Sequence, residues 1–391
     1  MPKPTNKITR TIRSEQVLNA FIQVVRRNLP LDLKNTRITA EDIICALAYA
    51  NVHRLSISSA CQELQDAPSG NRLCEVLTEA LPDRVGMQRA LNWMFHQQLH
   101  PSLLKGKRDY SIAIDLTLIP YHGQPYADKK EIVRGAPKSG TTHFHGYATV
   151  SIVHDNRRFV VALRFIEYGA EMADIVRWLI KRVKSLKIRI RRVFLDKGFC
   201  SKPVFKVLNQ HKLSYVVPIP VRGRSGGVRT LFQGNSRKTT YTFHSAKYGA
   251  YTVQAVVAKR YSKGCYGRYA SKWFAYAVAG LPAGISPAQV FELYRQRFGI
   301  ESSYRQMNQV RARTSTRNPV IRLLLVGLAF VLFNLYVTLR QSLSSALKLP
   351  LKAPKRFWLS LRRLALMIGR AIEHIWNITD VLQHQPCISF S

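Results

Sequence analysis

Carboxylates are scarce in this chain of 391 residues. It has 22 Asp and Glu against 60 Lys and Arg, a net charge of +38 and a pI near 10.5. Between Lys197 and Phe291 there is no acid at all, while fifteen Lys and Arg fall in the same interval. Globular surfaces normally intersperse both signs, so this excess argues for a polyanion as partner. Cysteine is sparse as well. The six thiols (Cys45, Cys61, Cys74, Cys200, Cys265, Cys387) form no CxxC pair and no zinc spacing with His. That excludes a disulfide scaffold and a zinc finger, and fits free thiols in a reducing cytosol. The N-terminus is basic and polar without an apolar core segment, so no secretory signal is expected. A single long apolar run, Leu323 to Leu339, contains Asn334 and is flanked by Arg322 and Arg340. It is short for a bilayer span and is expected to be a core helix, packed beneath the site described below, with no membrane partner.

What is present is a well-patterned globular chain. Hydrophobic residues make up 46% and aromatics 10%, enough for two or three packed domains. Residues 1–105 read as helical, with apolar periodicity over Ala40–Tyr49 and Leu55–Leu64 and a plausible cap at Ser56 or Ser58. Pro68-Ser-Gly70 breaks the chain before a helix from Asn71 to Leu81. Helix, short break, helix suits a helix-turn-helix DNA reader, with an ordinary helical bundle as the alternative. From Tyr110 the pattern alternates. Strands are expected at Tyr110–Ile119, Tyr147–Val153 and Arg158–Ile166, the last two joined by the turn His154-Asp155-Asn156. A helix at Glu171–Ser185, a strand at Ile190–Leu195, a short helix and a strand at Leu213–Val221 complete an α/β layered domain.

The few acids stand in informative places. Asp115 ends the alternation Tyr110-Ser-Ile-Ala-Ile-Asp115 and Asp196 closes Val193-Phe-Leu-Asp196, so both are expected at strand ends. Glu301 lies in a helical segment with Tyr294 and Arg297, and Asn308 continues the same three-, four- and seven-residue spacing. Two strand-end aspartates and a helical glutamate can converge on two hard divalent cations, a donor set suited to in-line attack on phosphodiesters. A strand-1 aspartate beside a strand-4 aspartate is also how a ribonuclease-H-like fold builds its metal site, an analogy of fold. Taken singly, each acid reads as an ordinary turn or ion-pair residue. The acid-free interval alternates like strands at Thr239–His244, Tyr251–Ala258 and Lys272–Ala279, behind a basic loop bearing Arg222, Arg224 and Arg229. Its interleaved aromatics (Tyr241, Tyr251, Tyr261, Tyr266, Tyr269, Trp273, Phe274) suit a groove that tracks a nucleic-acid backbone.

The run Tyr294-x2-Arg297-x3-Glu301 resembles the Y-R-E-K signature of DDE transposases of bacterial insertion sequences, in particular the insertion sequence four group. Asp196-Lys-Gly-Phe199 is similar to that group's D-x-G-[FY] turn, and Asp115-Leu-Thr to its first-aspartate strand. The resemblance covers about Tyr110 to Leu339 and extends to Ser58–Gly70. It implies a ribonuclease-H-like catalytic core (106–221, completed by 284–345) with a basic β-strand insertion (222–283), an all-α domain (1–105) that binds transposon ends and a basic helical tail (346–391). It further implies a metal triad of Asp115, Asp196 and Glu301 holding two Mg2+ ions, with Mn2+ able to substitute, Asp115 bridging both ions and the other two acids completing one each. Tyr294 and Arg297 map onto residues that grip end phosphates, and Trp273 is the candidate to stack an extruded base. Asn308 replaces the family's lysine, a departure that Arg305 or Arg311 could offset. The expected partners are double-stranded DNA, as terminal inverted repeats and target, and a second copy in a synaptic homodimer associated with the nucleoid. The alternatives are a non-catalytic DNA-binding derivative of a transposase and a ribonuclease-H-like repair nuclease.

Overall fold

The computed structural model describes residues 12–34, 36–100, 109–154, 157–261, 271–346 and 359–379. Cys265, Tyr266, Tyr269, Cys387 and the turn residues Asp155 and Asn156 lie outside them. The remaining cysteines, Cys45, Cys61, Cys74 and Cys200, are free thiols. Contacts divide the chain into two compact units, one of residues 1–98 with 306–391 and one of residues 99–305.

The first unit is helical in its described residues. It contains α1 (Ser14–Arg26), α2 (Ala40–His53), α3 (Ile57–Gln62), α4 (Gly70–Ala80) and α5 (Arg84–Gln97). Caps set their starts: Thr39 and Asp42 form a reciprocal box before α2, Ser56 accepts from the Ser59 N–H, and Asp83 accepts from the Gly86 N–H. The long apolar helix α9 (Pro319–Ala346) belongs to this unit and packs against α5, α2 and α1. Within this unit it forms the core among the N-terminal helices. It is long and apolar enough to cross a membrane, yet most of that span is buried in the protein. Gly327 lets α9 approach α5, because a Cβ there would collide with Leu91. The last helix among the described residues, α10 (Leu361–Trp376), docks on α1 and α2, and the Leu64–Ile378 bridge ties the chain beyond it to the end of α3.

The second unit is a mixed α/β layer around one nine-stranded sheet. Its first strands are β1 (Asp109–Pro120), β2 (Val133–Lys138), β3 (Thr141–His154) and β4 (Arg157–Ile166). Helix α6 (Met172–Ser185) leads to β5 (Arg189–Leu195), and α7 (Lys202–Gln210) to β6 (Tyr215–Pro218). Strand β3 pairs antiparallel with β1 and β4, β5 runs parallel beside β1, and β6 parallel beside β5. The order β4-β3-β1-β5-β6 is that of a ribonuclease-H-like core. Strand β2 escapes the alternation rule because Gly135 and Pro137 interrupt it, and it pairs irregularly with β3 at the sheet edge.

The acid-free segment supplies β7 (Arg237–Ser245), β8 (Gly249–Tyr261) and β9 (Ser271–Ala279). These strands continue the central sheet: β9 pairs antiparallel with β6, then β8 with β9 and β7 with β8. Gly280 closes β9 with a positive φ, where a Cβ would collide with Ser214 at the entry to β6. Helix α8 (Pro287–Met307) lies across the sheet, burying Val290 and Tyr294 against Ala113, Phe194, Val216, Val256 and Tyr276.

Candidate active site and the cleft beside it

Parallel pairing of β1 with β5 decides where the two aspartates sit. Ile114 lies opposite Leu195, which sets the next residues, Asp115 and Asp196, beside each other; Asp196 is at the strand end as expected, whereas β1 continues five residues past Asp115 to Pro120. Asp115 is still within β1, opposite Thr149 of β3, and is 8% exposed. One of its carboxylate oxygens, Oδ1, accepts from the Leu116 N–H at 2.8 Å. Asp196 follows β5 and opens the 3-10 turn Lys197–Phe199.

Helix α8 delivers the counter-charge. The Arg297 guanidinium reaches Asp115 Oδ2 at 3.4 Å through Nη1 and Asp196 Oδ1 at 3.3 Å through Nη2. Its side chain is 4% exposed, against 12% for Asp115 and 36% for Asp196. One planar cation thus bridges two carboxylates that would otherwise repel. Two tyrosines fix the helix. The Tyr294 hydroxyl donates to the Leu195 carbonyl at 3.2 Å, and its ring lies under Arg297 at 5.1 Å and beside Tyr276 at 5.1 Å. The Tyr304 and Thr149 hydroxyls share a hydrogen bond. Burial pushes the phenols of Tyr276, Tyr294 and Tyr304 well above the ordinary range, so all three stay neutral. Their chemistry here is hydrogen bonding and packing.

Glu301 lies on α8, four residues past Arg297; its side chain is outside the described residues. Among the described residues no group of three His, Cys, Asp or Glu side chains is arranged to hold a metal. Asp115 and Asp196 nonetheless present hard oxygen donors side by side, the donor type Mg2+ and Mn2+ take.

A cleft of about 780 Å3 runs from Asp196 and Arg297 past Tyr294 and Tyr276 to Arg222 and Trp273. Trp273 is half-buried on β9, stacked on Phe232 at 6.0 Å and 11°, with Lys259 Nζ 5.2 Å from its ring centre. Arg222, Arg224 and Arg229 are exposed, and Arg229 donates to the Gly223 carbonyl.

Other expected residues are placed differently. Tyr294 and Arg297, assigned by resemblance to phosphates, turn their polar atoms toward the end of β5 and toward Asp115 and Asp196. Arg305 is exposed on the last turn of α8. Asn308 and Arg311 are not on that helix, which ends at Met307. The Val310 N–H bonds the Met307 carbonyl, and Arg311 Nε donates to Asn308 Oδ1 at 3.2 Å. Beyond them Thr314 and Thr316 bond nearby backbone N–H groups, and Asn318 caps α9, local bonds that compete with helix continuation. Sequence reasoning did not foresee the Tyr304–Thr149 bond; Tyr304 lies one turn beyond Glu301 on α8, and that spacing is the signal that could have found it.

A family model described as the transposase DDE domain matches residues 106–335, more than half of the chain. The chain belongs to the DDE transposase family. No match is found among curated protein sequences. Among solved structures, this transposase is similar to the piggyBac transposase in a cryo-EM synaptic complex with hairpin DNA. The TM-score is 0.56 at 14% identity, over 95% of this chain and 83% of that one, a likeness of fold.

Proposed function

We propose that this transposase cuts and joins DNA at the Asp115–Asp196 edge of its sheet, with Glu301 as the third acid. The observation that carries the reading is the pair of carboxylates, Asp115 within β1 and Asp196 just past β5, bridged by Arg297 from the helix that bears Glu301. Asp115, Asp196 and Glu301 would hold two Mg2+ ions, with Mn2+ as a substitute. When bound, such ions supply Lewis-acid activation of an attacking hydroxyl and charge for the departing oxygen. The protein's own part is orientation. β1 and β5 fix the spacing of the two carboxylates, Arg297 and Tyr294 hold α8 against them, and the cleft with Trp273 and Arg222 receives the strand. No side-chain nucleophile is assigned, so hydrolysis at an element end and transesterification into target DNA use one site. The spacing of Tyr294, Arg297 and Glu301 supports membership of the insertion sequence four group. The N-terminal helices would read terminal inverted repeats. A homodimer on double-stranded DNA, in the cytoplasm at the nucleoid, follows from the need to join two ends.

The test uses a labelled duplex carrying the DNA that flanks the coding sequence. Wild-type protein with Mg2+ should cleave it, and EDTA should stop cleavage. Asp115→Asn, Asp196→Asn and Glu301→Gln should each abolish cleavage while end binding stays within a few-fold, because Lys and Arg dominate affinity. Binding without any cleavage by wild type would favour the non-catalytic derivative.

A further inference from the structure

Next to the cleft that holds Asp196 is a second chamber of about 850 Å3. The two share Ile219, Pro220 and Arg222 as a common wall. The second chamber is bounded by Lys202 at the start of α7, by Thr230, by Tyr241 and Phe243 on β7, and by Tyr248. Among the described residues that line it, none is acidic. Its size is that of a ligand site.

The far wall is fastened down. Lys202 Nζ donates to the Tyr248 carbonyl at 2.8 Å and the Ala250 carbonyl at 3.3 Å. Glu171, before α6, accepts from Lys247 Nζ at 2.5 Å and from the Tyr248 hydroxyl at 2.8 Å. These bonds hold the β7–β8 turn against the core, so the chamber is preformed. The rings are ordered too. Tyr241 stacks on Phe243 at 6.4 Å and 26°, and Phe243 packs on Phe205 and Tyr251. Burial raises the Tyr241 phenol, with Arg222 opposing that shift, so the phenol stays a neutral donor beside a cation.

Cations, hydroxyls and aromatic rings without a carboxylate match a nucleotide chain, with phosphates for Arg222 and bases for the rings. A duplex presents no open base faces, because its bases are stacked on each other. An unpaired strand does. We propose that this chamber binds a short stretch of single-stranded DNA, the nucleotides adjoining those in the acid-pair cleft. The strand passes across the 219–222 wall, with Arg222 contacting the phosphate between the two compartments. The proposal rests on the reading of the acid pair as a DNA-cutting site.

The probe is a single-stranded oligodeoxynucleotide, labelled with fluorescein for anisotropy and carrying 5-bromodeoxyuridine for crosslinking, in EDTA so that cleavage plays no part. With the full wild-type chain, crosslinks should map to peptides between Cys200 and Tyr248. Tyr241→Ala should weaken single-strand binding by about ten-fold and leave binding of the same-length duplex within about two-fold. Tyr241→Phe, which keeps the ring, should retain most of the affinity and controls for folding. The proposal is overturned if Tyr241→Ala has no effect, if single strand and duplex weaken alike, if RNA of the same sequence binds better than DNA, or if crosslinks map elsewhere. Crosslinks here in a protein that never cleaves DNA would sink the acid-pair reading and keep the chamber. Cleavage with crosslinks elsewhere would do the reverse.

Discussion

At the β3–β1–β5 end of the sheet, charges face inward and touch one another: Arg297 is 4% exposed between Asp115 and Asp196. At the β9–β8–β7 end they face outward. The nearest counterpart there, Arg260 with Glu292, has side chains 41% and 47% exposed, and Arg222, Arg224 and Arg229 stand on the surface. The same sheet thus uses arginine in two ways. Inside, a guanidinium has no water to fall back on and fixes geometry. Outside, it is hydrated and available to a polyanion, where it adds affinity and salt dependence.

Removing the inner arginine should show the largest difference. Arg297→Met leaves two carboxylates close together without their bridge, and should destabilise the protein by about 3 kcal/mol in urea denaturation, with the exposure of Asp196 softening the loss. Arg260→Met should cost less than about 1 kcal/mol. The double variant Arg297→Met with Asp115→Asn should lose less than the sum of its singles, since the stranded charge is gone. Equal effects at Arg297 and Arg260 would erase the contrast between the two ends.

The outer arginines should register in binding. Replacing Arg222, Arg224 and Arg229 with Gln should leave thermal stability nearly unchanged. It should flatten the slope of log affinity against log salt for duplex DNA by about 2 to 3, close to 0.9 per lost phosphate contact. An unaltered slope would place the DNA on another surface.

The smallest effect is expected just past α8, where neither pattern holds. Asn308 is exposed and bonded to Arg311. Asn308→Lys should tighten duplex binding by a few-fold and steepen the salt slope by about 1 if that turn meets DNA. Silence of both Asn308→Lys and Arg311→Ala would separate this turn from the DNA path.

Much of the sheet-bearing unit was readable because β alternation is local. Period-two patterning placed β1 and β5 and the end of β5 at Asp196, along with the β3–β4 pair and the strands of the acid-free segment, while β1 runs on past Asp115. What stayed hidden depends on contacts distant in sequence. Nothing local states that β9 would pair with β6, that Arg297 would bridge both aspartates, or that Tyr304 would meet Thr149. Two misreadings had local causes. Gly135 and Pro137 masked β2, and the helical spacing through Asn308 ran past a helix that stops at Met307, where the Gln309 and Val310 N–H groups close a turn on the Gln306 and Met307 carbonyls. The apolar run at Leu323–Leu339 was legible as a buried helix, but its neighbours were not, since burial on all sides leaves no polar face to orient it.

Helix α8 has a mechanical consequence. It is a 21-residue rod whose Val290 and Tyr294 are seated against Val256 of β8 and Tyr276 of β9, while Arg297 and Glu301 ride further along. The rod is also held near its far end, where Tyr304 bonds Thr149 of β3. A helix seated on β8 and β9 at one end and bonded to β3 at the other works as a crossbar, tying strands from opposite halves of the sheet through a single rigid element.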